Sequence, residues 1–320
     1  VIVRLGKVTP VRQHARRYII VLGTGVAVLS SAAAIAGCGG SARAASTQHK
    51  AIAADASNAG EGSSQFPVDG LLAVDAFRAA DVVAGHFSLG SNGQMTFDNK
   101  VTLSGAIEYQ PGKISETNDA CTGACALDSQ TAPFTVPKVP QSDYSAARSV
   151  NNDAAISWGS QFTSDSSAYT VSSNGANNVT VNIPAGTYFY CNLSLGNHTT
   201  LKTTSWPVKI YVDSASDAAG PCASEHGASG ELSGSNALAV RNSSGVASNV
   251  QLYFYGHPGC TNRCPDDLSP NSQSYTADIF APYSSATVGG PFTMTGAMVI
   301  GRITTNNVLR FDYQKPVASS

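Results

Sequence analysis

The chain has 320 residues, of which 42% are hydrophobic and only 12% charged, and its formal net charge is −2. Five of its 19 Lys and Arg and none of its 21 Asp and Glu precede residue 38, so the remainder carries 14 basic against 21 acidic residues, a formal −7. That sign excludes a nucleic-acid binder, which presents a basic surface to phosphates. Low charge with abundant Gly, Ser, Thr, Asn and Ala points to an exported β-rich protein, and the length allows one or two domains around a sizeable core.

The N-terminal stretch holds Arg4, Lys7, Arg12, Arg16 and Arg17, then the apolar run YIIVLGTGVAVLSSAAAIAG, then Cys38. Basic flank, apolar stretch and small-residue exit are the parts of an export signal. The exit, Ile35-Ala36-Gly37-Cys38, resembles the bacterial lipobox. The resemblance implies that residues 1–37 are a signal peptide and that the Cys38 thiol is acylated, making the membrane a partner through an N-terminal lipid. Two alternatives stay open: an uncleaved transmembrane anchor, since the run is just long enough to span, and cleavage after Ala44. All three export the rest of the chain. Residues 38–67, small and polar without apolar periodicity, are expected to form a flexible tether reaching roughly 30 Å.

From residue 68 to 320 short runs of β-formers alternate with Gly, Ser and Asn turns, as in KVTLSGAIEYQ, GTYFYCNLSLG, PVKIYVDS, NVQLYFYG and PFTMTGAMVIG. A less regular insertion, about 121–177, contains SDYSAARSVNNDAAISW, which can form a helix with Ser142 as N-cap. No long amphipathic helix separates the strands, which argues against a βαβ fold. The expectation is all-β: a right-handed β-solenoid, parallel β-helix-like, with one irregular insertion. The alternative is a β-sandwich.

The stretch from residue 183 to 314 carries the Gly186-Thr187-Tyr188 opening, the strand Pro207-Val208-Lys209-Ile210-Tyr211-Val212, Ala281-Pro282 and the Phe311-Asp312-Tyr313 close. It resembles a bacterial exported domain of unknown function found at the C-termini of PilX-like pilus-assembly and envelope proteins, with a texture similar to the bactofilin-type β-helix. The resemblance implies a non-enzymatic envelope role; the expectation is a structural, adhesive or pilus- and envelope-assembly protein, with an envelope protein or a glycan as partner. It carries over no catalytic residues. The cysteine pairs and the lipobox depart from that pattern.

Besides Cys38, six cysteines remain: Cys121, Cys125, Cys191, Cys222, Cys260 and Cys264. An even number in an exported chain implies disulfides, and six thiols allow fifteen pairings. Spacing suggests Cys121–Cys125, Cys191–Cys222 and Cys260–Cys264. Zinc held by the two CxxxC pairs is the rival, but structural zinc pairs use tighter spacing more often. No metal and no cofactor are expected.

Some β-helix enzymes cleave acidic polysaccharides, and that class is the alternative function. His257 in YGHPG and Asp266-Asp267 in CPDDLSP superficially match pieces of pectin hydrolases. Their order is reversed, however, and Arg302 in GRITT lacks the accompanying lysine. There is no G-x-S-x-G elbow for a serine hydrolase. Glu225-His226 sits in a polar loop, while His86 and His198 are scattered without metal-ligand spacing. Calcium at Asp266, Asp267 or Asp278 would lack an EF-hand pattern.

Strand alternation suggests one further surface. If Phe189, Cys191, Leu193 and Leu195 face the core, then Tyr188 and Tyr190 face outward. The same reasoning turns Tyr211, Tyr253 and Tyr255 outward. Five such tyrosines would either bind a sugar or protein, or be covered by the irregular segment.

Overall fold

The computed structural model describes residues 66–316 apart from 117–120, 122–124, 137–139, 219, 225–230, 235–237, 259–265 and 271. Cys38 and its surroundings lie outside the described residues. Among those described, no helix is long and apolar enough to cross a membrane.

The first part of the chain forms β1 (Gly70–Ala79), β2 (Val83–His86), β3 (Ser88–Ser91), β4 (Gln94–Phe97), β5 (Val101–Leu103), β6 (Ala106–Tyr109), β7 (Ile114–Glu116) and β8 (Ala126–Ser129). Helix α1 (Gln141–Ser149) follows. Then come β9 (Phe162–Asp165), β10 (Thr170–Ser173), β11 (Thr180–Ile183), β12 (Gly186–Tyr190), β13 (Asn192–Leu195), β14 (Thr200–Thr203), β15 (Val208–Val212) and β16 (Leu232–Gly234). The last part holds β17 (Ala239–Asn242), β18 (Val250–Phe254), β19 (Asp266–Pro270), β20 (Gln273–Thr276), β21 (Asp278–Val288), β22 (Phe292–Gly296), β23 (Met298–Thr305) and β24 (Leu309–Tyr313). The stretch 121–177 is therefore less irregular than its composition suggests, because β8, β9 and β10 lie within it. Helix α1 starts one residue before Ser142: its N-cap is Pro140, with no side-chain cap, and the Ser142 hydroxyl turns to Asp143 Oδ1.

These strands stack as rungs of a three-sided solenoid. The first face runs β12–β15–β18–β21–β23–β1–β3–β6–β8. The second runs β10–β13–β16–β19–β21–β23–β1–β4–β7. The third runs β11–β14–β17–β20–β22–β24–β2–β5. Every one of these pairings is parallel, which excludes the sandwich, whose sheets are antiparallel. Strands β1, β21 and β23 belong to two faces because each runs through a corner, where the register shifts between Ala73 and Ala76 and between Ala281 and Ser285.

Spatial order departs from chain order at one place. Strand β1 lies between β23 on one side and β3 and β4 on the other. The first eight strands thus continue the stack that the last strands build, and β24 pairs with β2. This gives β23 and β24 partners where a chain end would leave exposed ladder edges. Gly85 in β2 marks how tightly the two parts meet: its φ is +145°, and a Cβ there would lie 1.8 Å from the Phe311 carbonyl oxygen.

Two apolar clusters result. One fills the interior of the solenoid, with Leu71, Phe77, Met95, Tyr188, Tyr190, Ile210, Leu252, Ile279, Met294 and Phe311 among its members. The other is outside the first face. Register aligns Phe189, Tyr211, Tyr253, Phe280, Val299 and Leu72 into a stripe, one residue per rung, and Tyr144 and Ala147 of α1 with Val68 close over it.

The outward tyrosine face therefore needs correction. Tyr188 and Tyr190 point into the solenoid, 0% and 2% exposed, and Phe189 and Cys191 point out. The single alternation drawn through GTYFYCNLSL fails because the chain bends at Cys191 between β12 and β13. A corner resets which parity faces inward, so Leu193 and Leu195 are again interior. Tyr211 and Tyr253 do face outward, but they are buried under α1, while Tyr255 is half-buried beside it.

Candidate functional site

Three rungs leave the solenoid at the same corner, where the first face passes into the second. After β15 the chain reads Asp213-Ser214-Ala215-Ser216-Asp217; after β18 it reads Tyr255-Gly256-His257-Pro258; within β21 it turns at Pro282-Tyr283-Ser284. Because the strands before them are in register, the three excursions meet. The His257 N–H donates to the Tyr283 carbonyl at 2.9 Å, and the Ser214 hydroxyl donates to the Gly256 carbonyl at 2.6 Å. Gly256 has φ +68°, and a Cβ there would lie 2.6 Å from the Tyr283 backbone, so the close approach requires glycine.

Within this corner Ser216 Oγ lies 2.6 Å from His257 Nδ1, and His257 Nε2 lies 2.9 Å from Asp267 Oδ1. Exposure falls along the chain of groups: Ser216 is exposed, the His257 side chain is 14% exposed and that of Asp267 is 0% exposed. In the neutral tautomer with the proton on Nε2, His257 donates to the Asp267 carboxylate and presents the Nδ1 lone pair to the Ser216 hydroxyl. A cavity of about 290 Å³ adjoins the relay through Pro258, the residue after His257; it is lined by Gln141, Tyr144, Tyr255, Pro258, Pro282 and Tyr283 among others, and not by the three relay residues themselves.

Beneath α1 a second polar group adjoins the same corner. Asp213 and Asp217 are buried, and their Oδ2 atoms converge on Gly220, where a Cβ would lie 2.5 Å from one and 2.6 Å from the other. Asp213 accepts from the Ser214 N–H at 2.9 Å, and Gln141 of α1 donates to Asp217. Burial pushes the Asp213 carboxyl up to about 7; Asp217 adds to the shift, while the Ser214 N–H and Arg148 oppose it. Burial, then the nearby Asp213, pushes the Tyr144 phenol well above its usual value. This pair of carboxylates is roofed by a helix, so it offers no groove for a polysaccharide chain between an acid and a base.

The other residues singled out from sequence disperse. Cys121–Cys125 and Cys191–Cys222 are disulfides, the latter fixing the excursion after β15 to the corner before β13. Cys260, Cys264 and Glu225-His226 lie outside the described residues, as does the side chain of Asp266. His86 is exposed and meets Asp312 at 3.0 Å. His198 sits in a turn at φ +51°. Asp278 is buried and accepts from the Ala297 N–H at 2.9 Å. Among the described residues no group of three or more His, Cys, Asp or Glu side chains is placed to hold a metal ion.

Sequence reasoning missed Ser216. A signal existed: VKIYV and VQLYF are equivalent rungs, and Ser216 follows the first by about as many residues as His257 follows the second. Sequence reasoning matched His257 and Asp266-Asp267 only superficially to pieces of a sugar-cleaving site and set that match aside; the structure hydrogen-bonds His257 to Asp267.

The sequence pattern described as Domain of unknown function (DUF7305) matches residues 145–319. No curated protein matches. Among solved structures, an ice-binding protein from the Antarctic ascomycete Antarctomyces psychrotrophicus aligns with 79% of this chain and 96% of its own, at 14% identity and a TM-score of 0.32. That likeness is too slight to bear on function.

Proposed function

We propose that this chain, which belongs to the DUF7305 family, is an exported envelope protein, held to the membrane by a lipid on Cys38, whose solenoid serves as a structural or adhesive body. The disulfides fit an oxidising compartment.

One observation supports the mechanical part of this reading above the others. The polypeptide arriving from the N-terminal side enters the solenoid through β1, which is hydrogen-bonded along both edges. Tension through the tether would act along that strand and shear two parallel ladders together, instead of peeling one edge strand bond by bond. A body tethered at its N-terminus and pulled by whatever it adheres to gains from such an entry.

The test is fractionation of the full chain expressed in a bacterial host with its own leader. Wild type should enter the detergent phase with acyl chains on Cys38, and Cys38→Ser should stay unprocessed or be released. Several acyl chains are needed for stable attachment, since one binds only marginally. An unmodified Cys38 with residues 1–37 still attached would replace the lipid by a transmembrane anchor. Unchanged envelope integrity and surface attachment in a deletion strain would overturn the structural and adhesive role.

A further inference from the structure

We infer that Ser216, His257 and Asp267 form an acyl-transfer site that hydrolyses carboxylic esters whose acyl group sits in the adjoining cavity. The inference goes beyond the anchored scaffold and does not depend on the lipid.

A serine hydroxyl is a poor nucleophile until a base takes its proton, and a neutral imidazole is a good base only when its tautomer and orientation are fixed. Both conditions are met. The fully buried Asp267 carboxylate engages Nε2 at 2.9 Å, the Tyr283 carbonyl holds the His257 backbone at 2.9 Å, and Nδ1 then meets Ser216 Oγ at 2.6 Å. The hydroxyl sits at the exposed end, where a substrate reaches it, and the carboxylate at the buried end, where water does not compete for it. The ring is turned relative to the familiar serine-hydrolase order, with the nucleophile on Nδ1, but either nitrogen of imidazole serves as the base.

The cavity supplies the substrate class. Tyr255 and Pro258 flank the Gly256-His257 pair and line it, as does Tyr283. Its volume of about 290 Å³ and its proline and tyrosine walls suit a small, largely apolar or aromatic acyl group. In the first half-reaction the Ser216 Oγ–C bond forms as His257 Nδ1 takes the hydroxyl proton. The C–O bond to the alcohol then breaks, and the alcohol leaves with that proton. In the second half, water gives a proton to Nδ1 and its oxygen to the acyl carbon. Ser216 recovers its hydrogen, and a carboxylic acid departs. Ester and water become acid and alcohol with nothing else consumed.

The probes are an alkyl fluorophosphonate, which phosphonylates an activated serine with loss of fluoride, and p-nitrophenyl acetate. Both are applied to the full chain purified under oxidising conditions. Stoichiometric labelling mapped to Ser216 is expected, lost in Ser216→Ala and in His257→Gln. Ester kcat/KM should fall at least about a hundredfold in each variant. Ser216 is exposed, so Ser216→Ala keeps the fold, and an unchanged melting temperature checks it. An unlabelled wild type, or labelling and turnover that persist in Ser216→Ala, would show that the three residues only tie adjacent rungs together and would overturn the inference.

Discussion

Tyr253 stacks on Tyr211 with ring centroids 4.7 Å apart and planes 14° from parallel. The cause is register: β15 and β18 are parallel, and the two residues are directly paired. Tyr144 of α1 meets the edge of this stack, 5.3 Å from Tyr211 at an interplanar angle of 82°. The aromatic stripe is therefore an internal seam between helix and solenoid, not a free surface.

Removing the ring that closes this seam should be costly. Tyr144→Ala deletes a side chain 2% exposed, and about 3–5 kcal/mol of stability should be lost in urea unfolding. Tyr253→Ala should act alike. Tyr190→Ala should cost at least as much for a different reason, since Tyr190 is interior and donates to Asp153 Oδ1 at 2.6 Å. Tyr190→Phe isolates that bond, and a loss of about 1–2 kcal/mol is expected. A double variant Tyr190→Ala, Tyr253→Ala with unchanged stability would show that the rings are not packed as described.

The two described disulfides should differ in worth. Cys191–Cys222 spans 31 positions and Cys121–Cys125 only 4. In the chain-entropy account the longer loop stabilises by about 3–4 kcal/mol and the shorter by about 2 kcal/mol. Paired Ser variants, compared by thermal unfolding, should rank in that order. Mass mapping without reduction checks both pairings first.

Stability should fall as pH rises from about 4 to about 7. Burial pushes the Asp278 carboxyl up to about 7 against the Ala297 N–H that donates to it, and Asp213 is likewise pushed up to about 7. Burial also raises Asp75 and Glu108, while Asp165, held by hydrogen bonds from Ser167, is lowered. In the unfolded chain an Asp ionises near 3.9. Across the window between the two values the folded state keeps protons that the unfolded state releases, so raising pH favours unfolding. Above about pH 7 this contribution levels off. Asp278→Asn should flatten the profile and raise stability at pH 8 by about 1–3 kcal/mol. A melting temperature that climbs steadily from pH 4 to 7 would contradict the assignment.

The segment matched by the family, 145–319, should not behave well alone. Without residues 66–129 the outer edges of β23 and β24 lose β1 and β2. Unpaired parallel edges recruit further chains. Size-exclusion chromatography should show this fragment as soluble oligomers or aggregate, and co-expression of residues 66–136 should restore a monomer-sized complex. A well-behaved monomeric fragment would mean that the seam at β1 contributes little.

The amino-acid sequence by itself marked the material of this fold: an all-β chain of short strands with cysteines that pair. Alternating runs such as PVKIYVDS and NVQLYFYG form strands wherever they are placed, because parity along a strand and turn residues at its ends are local properties. It also marked the cysteines 191 and 222 that pair. Tertiary structure alone decided three things. Parity is reset at each solenoid corner, so Tyr188 and Tyr190 went inside although the strand after Cys191 had suggested the reverse. The order of rungs is not the order of the chain, since β1 finds β23 across more than 200 positions, and no local pattern encodes a pairing at that range. Ser216, His257 and Asp267 came together only because two neighbouring in-register rungs, the one after β15 and the one between β18 and β19, open at one corner. Each lies in an ordinary polar loop when read along the chain, and hydrogen-bonded relays depend on distances that only stacking fixes.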